Sequence, residues 1–218
     1  PKKPSCATAH ASASEQTPGT RCYRGRSVLH TPAMPHTLVL HAHPYPRRSL
    51  VTQRLKAVFD AAPDTQVRSL YELYPDFDID VAAEQQALST AELVVWLAPV
   101  HWYSVPGLLK HWFDRVLTHG WAYGHGGHAL RGKTVWWVAS VGADETAYGP
   151  GGEHGRPFAD FVAPIEQTAR YCGMHWLPPH LVYAGHTITE DDRRASCDAL
   201  AQSLAQHQAG LGLTGGAA

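Results

Sequence analysis

No apolar run in this sequence reaches the ~18 residues that a membrane-spanning helix requires. Any association with a membrane must then run through a partner or a surface. Charge is sparse and balanced: acidic and basic residues together make up 17% of the chain, and the formal net charge is -1. Without a basic surplus to displace counterions, nucleic acid is excluded as a partner. A small phosphorylated ligand is not excluded, because it needs only one local anion site. Cysteine is also scarce: Cys6, Cys22, Cys172 and Cys197 show no C-x-x-C spacing. That excludes a disulfide framework and fits a reducing cytosol. There is no H-E-x-x-H helix and no internal repeat. What remains is 218 residues, 44% of them hydrophobic, enough for one domain with a sizeable core.

Both ends differ in composition from the middle. Residues 1–36 are rich in Ala, Ser, Thr, Pro and Arg, with Glu15 the single acid. They show no hydrophobic periodicity that would offset ordering entropy and no apolar core of a secretory signal. An organelle transit peptide shares this bias, but a disordered or upstream extension, with Met34 as the natural start, is the simpler expectation. Residues 209–218 are Gly-rich and uncharged and read as a flexible tail.

Between the ends, strand-like and helix-like segments alternate. Strands are expected at 37–42, 65–73, 93–100, 134–142 and 180–185, the third almost wholly apolar and therefore central. Helices are expected at 49–62 with Ser49 as N-cap, at 78–91, 106–117 and 158–173, and at 189–208 with Thr189 as cap. Strict β/α alternation implies a parallel sheet covered by helices on both faces. Ligands of such sheets bind beyond the carboxyl ends of the strands, at the topological switch point. Function is therefore expected in the loops after strands one, three and four.

The first loop, HAHPYPRRS, carries His43 and leads into a helix. Ser49 with the backbone of Leu50, Val51 and Thr52 can hold a phosphate, aided by Arg47 and Arg48. Equally, Ser49 reads as a simple cap, since the loop has neither G-x-G-x-x-G nor G-x-x-x-x-G-K-S. The second loop, PVHWYSVPG, places three rings in a row, His101, Trp102 and Tyr103, where a strand meets a helix. Flat side chains there suit a planar cofactor better than loop packing or a subunit interface. The third loop, SVGADETAYGPGGEHG, brings Gly142, which permits close backbone approach, then Tyr148 and His154, residue types that handle protons near a redox group. The alternative is an exposed loop with incidental polar residues. The sequence has 15 histidines, clustered at His41/His43 and at His119, His125 and His128; the latter three lack the helical spacing of a zinc site, and no metal is expected.

The segments HAHPYP, RSLYELYPDFDID, AEQQALSTAELVVW, WYSVPGLLKHWFDRV, HGWAYGHGG and YCGMHWLPP together resemble the NAD(P)H dehydrogenase (quinone) family, over roughly residues 37–208. The resemblance implies a flavodoxin-like three-layer α/β sandwich with a five-stranded parallel sheet of order 2-1-3-4-5. It implies a homodimeric flavoenzyme holding FMN or FAD that passes hydride from NAD(P)H to a quinone in a two-electron ping-pong cycle. Flavin contacts fall on His43, on Ser49, Leu50, Val51 and Thr52, on Val100, His101, Trp102 and Tyr103, and on Ser140, Val141, Gly142 and Ala143. Tyr148 and His154 match the proton-handling pair. The segment 119–133 matches one that lines the active site across the dimer, a role for its histidines that needs no metal. The branch it resembles most serves a glutathione-regulated potassium-efflux system. That implies a potassium–proton antiporter as a partner and a cytoplasmic protein held peripherally at the inner face of the membrane. An alternative within the same resemblance is a regulatory subunit whose redox activity is incidental. One departure stands out: relatives carry TTGG or TTGGG where this chain has SVGAD, so ring contacts from Ser140 to Ala143 are expected to be weaker.

Overall fold

A computed structural model describes residues 37–214, with side chains through Leu211. The expectations for residues 1–36 and for the last four residues lie outside the described residues. The elements run β1 (Thr37–His41), α1 (Thr52–Ala61), β2 (Thr65–Ser69), α2 (Leu70–Leu73), α3 (Val81–Thr90), β3 (Leu93–Pro99), α4 (Gly107–Val116), β4 (Thr134–Ser140), α5 (Ala159–Tyr171), β5 (His175–Trp176), β6 (His180–Val182) and α6 (Glu190–Thr214).

All strand pairings in the sheet are parallel, in the order β2-β1-β3-β4-β5, with β6 also paired to β4. This is the flavodoxin-like order 2-1-3-4-5, with the fifth place shared by two short strands. Leu177, Pro178 and Pro179 interrupt what the sequence presents as one edge. Proline has no N–H for the ladder, so β5 pairs at Thr134–Val135 and β6 resumes at Val138.

β3, apolar throughout, and β1, apolar between Thr37 and His41, are buried along their whole length, because each face of the sheet is covered. Side chains alternate strictly between two cores. Leu38, Leu40, Val94, Trp96, Val135 and Trp137 join α3, α4 and α5 on one face. Val39, Val95, Leu97, Trp136 and Val138 join Leu55 and Phe59 of α1 and Leu200 and Leu204 of α6 on the other.

Three element bounds differ from the sequence expectation by several residues, each for a local reason. The second strand ends at Ser69, because the chain turns into α2, where Tyr74 N donates to Leu70 O and both side chains enter the core. The first helix starts at Thr52, three residues late. A 3-10 turn at Pro46–Arg48 occupies the approach, and Ser49 N donates to Pro46 O. Ser49 is thus not the N-cap, yet its Oγ still accepts from Gln53 N at 3.2 Å. The last helix continues past residue 208 to Thr214 in place of the loose tail, with Leu211 packed on the α1/α6 core. As expected, α5 stops at Gly173, which takes φ +77 just after the helix end.

Candidate functional site

The strand order reverses at β1 and β3, and there a cleft of about 280 Å³ opens beyond their carboxyl ends. It gathers all three loops singled out in the sequence. His43, Ser49, Leu50 and Val51 line it from the first, Val100 and His101 from the second, and Ser140, Val141 and Gly142 from the third. Sequence reasoning missed Tyr45, Pro99, Gly185 and His186, and had Arg48 only as an added charge. The loop after the last strand carries Gly185 and His186, so applying the strand-end rule to every strand would have found them.

One wall of the cleft is an anion cradle. Ahead of α1, the N–H groups of Leu50, Val51 and Thr52 meet no acceptor among the described residues, and they stand at the positive end of the helix dipole. His43 Nδ1 accepts from Tyr45 N at 3.0 Å, which leaves the ring proton on Nε2 as a donor. Burial, then neighbouring His101, pushes the His43 pKa below its usual 6.5. Burial does the same for His101. Both rings are therefore neutral near pH 7 and act through hydrogen bonds. Thr52 is fully buried and does not line the cleft; its Oγ1 meets Ser140 Oγ at 3.0 Å and ties α1 to the end of β4. Ala143 also lies outside the lining, packed on the core with its carbonyl accepting from Ala184 N.

The aromatic loop behaves differently from the expectation. Trp102 is 92% exposed, Tyr103 is exposed too, and neither lines the cleft. Reciprocal bonds of 3.0 Å between His101 and Ser104 close a two-residue turn. Both central residues are left-handed, with φ 48 at Trp102 and 63 at Tyr103. Turns of this kind favour Asn-Gly, and bulky residues there store strain, roughly 1–2 kcal/mol each. Because the Trp102 side chain loses no burial on removal, Trp102→Gly is expected to raise stability by roughly 1 kcal/mol, seen as a higher melting temperature. An unchanged or lower value would show that the turn carries no such strain.

Tyr148 and His154 come together with rings stacked 4.3 Å apart, but outside the lining of the cleft. Tyr148 is buried against Phe158 and Tyr183. Burial, then Tyr103, raises its phenol pKa, which keeps it a proton donor. His154 Nδ1 lies 3.4 Å from the Tyr103 hydroxyl, and its Nε2 is buried without a partner. Tyr103 thus joins the cleft loop to this pair. His119, His125 and His128 are exposed on the loop between α4 and β4 and contribute nothing to the cleft of this chain.

A family model described as flavodoxin-like fold matches residues 35–207. The chain is 44% identical over 171 residues to the glutathione-regulated potassium-efflux system ancillary protein KefF of Enterobacter sp. (strain 638), covering 78% of this chain and 96% of the relative. Among solved structures, general stress protein 14 from Treponema denticola in complex with FMN is 36% identical, with a TM-score of 0.72 over 80% of this chain and 99% of that one. An NADPH-quinone reductase from P. pentosaceus is 29% identical, with a TM-score of 0.70 over 77% and 96%.

Proposed function

The chain belongs to the flavodoxin-like fold family, and on that premise we propose that it is a flavin-dependent NAD(P)H:quinone oxidoreductase using FMN. The observation that carries the reading is the convergence of three strand-end loops on one cleft with an anion cradle. The residues present fit the group. A flavin nucleotide asks for donors around its phosphate, and the unpartnered N–H groups of Leu50, Val51 and Thr52, with Ser49 and Arg48 beside them, are such a set. FMN in the Treponema denticola relative and quinone reduction in the name of the P. pentosaceus relative point the same way.

When bound, a flavin accepts hydride from NAD(P)H and passes two electrons to a quinone. The chain's own residues bind, orient and move protons. Residues 49–52 fix the phosphate end, and the His43 Nε2–H and His101 act from the β1 and β3 loops. His154, held against Tyr103, and the protonated Tyr148 serve as the proton-handling pair. The test is direct. Purified protein supplied with FMN is expected to turn yellow, bleach with NADPH without oxygen, and recover its colour on adding a quinone. Protein that takes up neither FMN nor FAD would sink the reading.

A second reading follows from the KefF relatives, whose names mark them as ancillary to a potassium-efflux system. In it the chain, as a homodimer on the cytoplasmic side, activates an antiporter and its redox activity is incidental. No helix among the described residues is long and apolar enough to cross a membrane, so docking to a membrane partner is the route this reading takes. His154→Ala with Tyr148→Phe separates the two. Lost quinone reduction with retained efflux activation favours the regulatory role, and joint loss favours the enzyme.

A further inference from the structure

The wall of the cleft at the end of β4 is poor in side-chain hydrogen-bond donors. Ser140 Oγ is already paired with Thr52 Oγ1. Val141 has an apolar, buried side chain, and its backbone is fully used: its N–H donates to Val182 O and its carbonyl accepts from Gly185 N, both at 2.8 Å. Gly142 has no side chain. Opposite this bare stretch stands His186. An ideal Cβ built on Gly142 would lie 2.9 Å from His186 Nε2 and 3.1 Å from Cδ2. The imidazole edge therefore rests on the Gly142 backbone, a place it can take only because residue 142 is glycine.

The turn that presents His186 is pinned. Ala184 N donates to Ala143 O at 2.9 Å, and Thr187 N and Ile188 N both donate to Ala184 O at 2.8 and 2.7 Å. Ala184 itself takes φ 56, a conformation disfavoured for a residue with a Cβ. The side chain of His186 makes no hydrogen bond to the protein among the described residues, yet it borders the cleft. A rigid turn, a strained residue before it and a neighbour reduced to glycine hold an otherwise unpartnered imidazole against a wall with no free side-chain donor.

We infer that His186 is a cofactor-holding residue: its imidazole donates a hydrogen bond to an acceptor oxygen of the bound flavin, from the wall where Val141 and Gly142 offer no side-chain donor. The inference rests on the cleft being a flavin site. It also gives a physical sense to the SVGAD segment, in which the side-chain hydroxyl is lost at 141 and a donor is supplied from the loop after β6 instead.

The experiment is a titration of FMN by fluorescence quenching with the full chain and three variants, alongside thermal melts of the ligand-free proteins. His186→Ala is expected to weaken FMN binding about 10-fold, the effect of one lost hydrogen bond, with an unchanged melt because the ring has no protein partner. His186→Gln keeps a donor and is expected to restore most of that loss. Gly142→Ala, which pushes the imidazole aside, is expected to weaken binding as His186→Ala does. A His186→Ala affinity equal to the parent's overturns the role of His186 alone. An equal loss in His186→Ala and His186→Gln overturns the hydrogen bond. Failure of the parent itself to bind FMN overturns the flavin reading and this inference with it, and that failure is visible before any variant is made.

Discussion

Replacing Glu84 by alanine is expected to cost about 3–5 kcal/mol of folding stability, the loss typical of breaking a buried ion pair from one side. Glu84 on α3 is fully buried, and three elements converge on its carboxylate. Arg68 of β2 donates through Nε at 2.9 Å and through Nη2, the Tyr74 hydroxyl donates at 2.6 Å, and Trp112 Nε1 of α4 donates at 2.9 Å. Every donor is satisfied by one acidic group. Burial, followed by the bond to Glu84, pushes the Tyr74 phenol up to about 12. Removing the carboxylate leaves a half-buried guanidinium uncompensated and two buried donors without acceptors. Urea denaturation is the measurement, and the midpoint should fall by roughly 2 M at an unchanged slope. The double variant Arg68→Met, Glu84→Met should recover part of the loss, since it removes the uncompensated charge. A Glu84→Ala midpoint close to the parent's would mean that the network adds nothing net.

The second large effect is acid sensitivity centred on His41, at the end of β1 beneath the cleft. The ring is 2% exposed, its Nδ1 lies 3.3 Å from Ser69 Oγ and its Nε2 has no partner. Burial, reinforced by the charges of Lys56 and His43 and opposed by Asp60, lowers its pKa from 6.5 to about 4. As pH falls, the unfolded chain takes up this proton first. The stability that the neutral ring contributes is therefore complete above pH 6.5, declines between 6.5 and about 4, and is gone below. The loss across that window is about 3 kcal/mol for this one group. His43, His101, His180 and His207 are likewise lowered by burial and act in the same direction. His41→Leu should flatten the profile by one proton, measured as unfolding free energy from pH 7.5 down to 4. A variant whose profile keeps the parent's slope would show that His41 is not the group responsible.

Much of this molecule was legible in its residues. The apolar runs at 38–40 and 94–98 are buried on both faces, and that pattern belongs to central parallel strands. Once β/α alternation was recognised, the strand-end rule located the cleft, because a parallel sheet with crossover helices sends all its βα loops to one edge. Ser49 to Val51, His101 and Gly142, read from those loops, line the cleft, as do Val100, Ser140 and Val141, which the family resemblance alone implied. The same periodicity misjudged where the second strand ends and where the first helix begins. Both bounds depend on bonds to particular partners, Leu70 with Tyr74 and Ser49 with Pro46, which no window average contains.

Side-chain direction was not legible. Trp102 and Tyr103 sit in the right loop, yet their left-handed backbone turns them outward, and strain of that kind leaves no trace in composition. Glu84 reads in the sequence as one more acid in a helix, and only packing against β2 and α4 makes it the junction of three donor side chains. His186 shared no motif with any predicted site. By itself the sequence determined the main strands and helices, how they layer and at which edge of the sheet the cleft opens, because those follow from periodicity and from the handedness of β/α connections. The tertiary structure alone decided which side chains face the cleft, because that depends on contacts between residues far apart in the chain, such as the imidazole of His186 resting on Gly142.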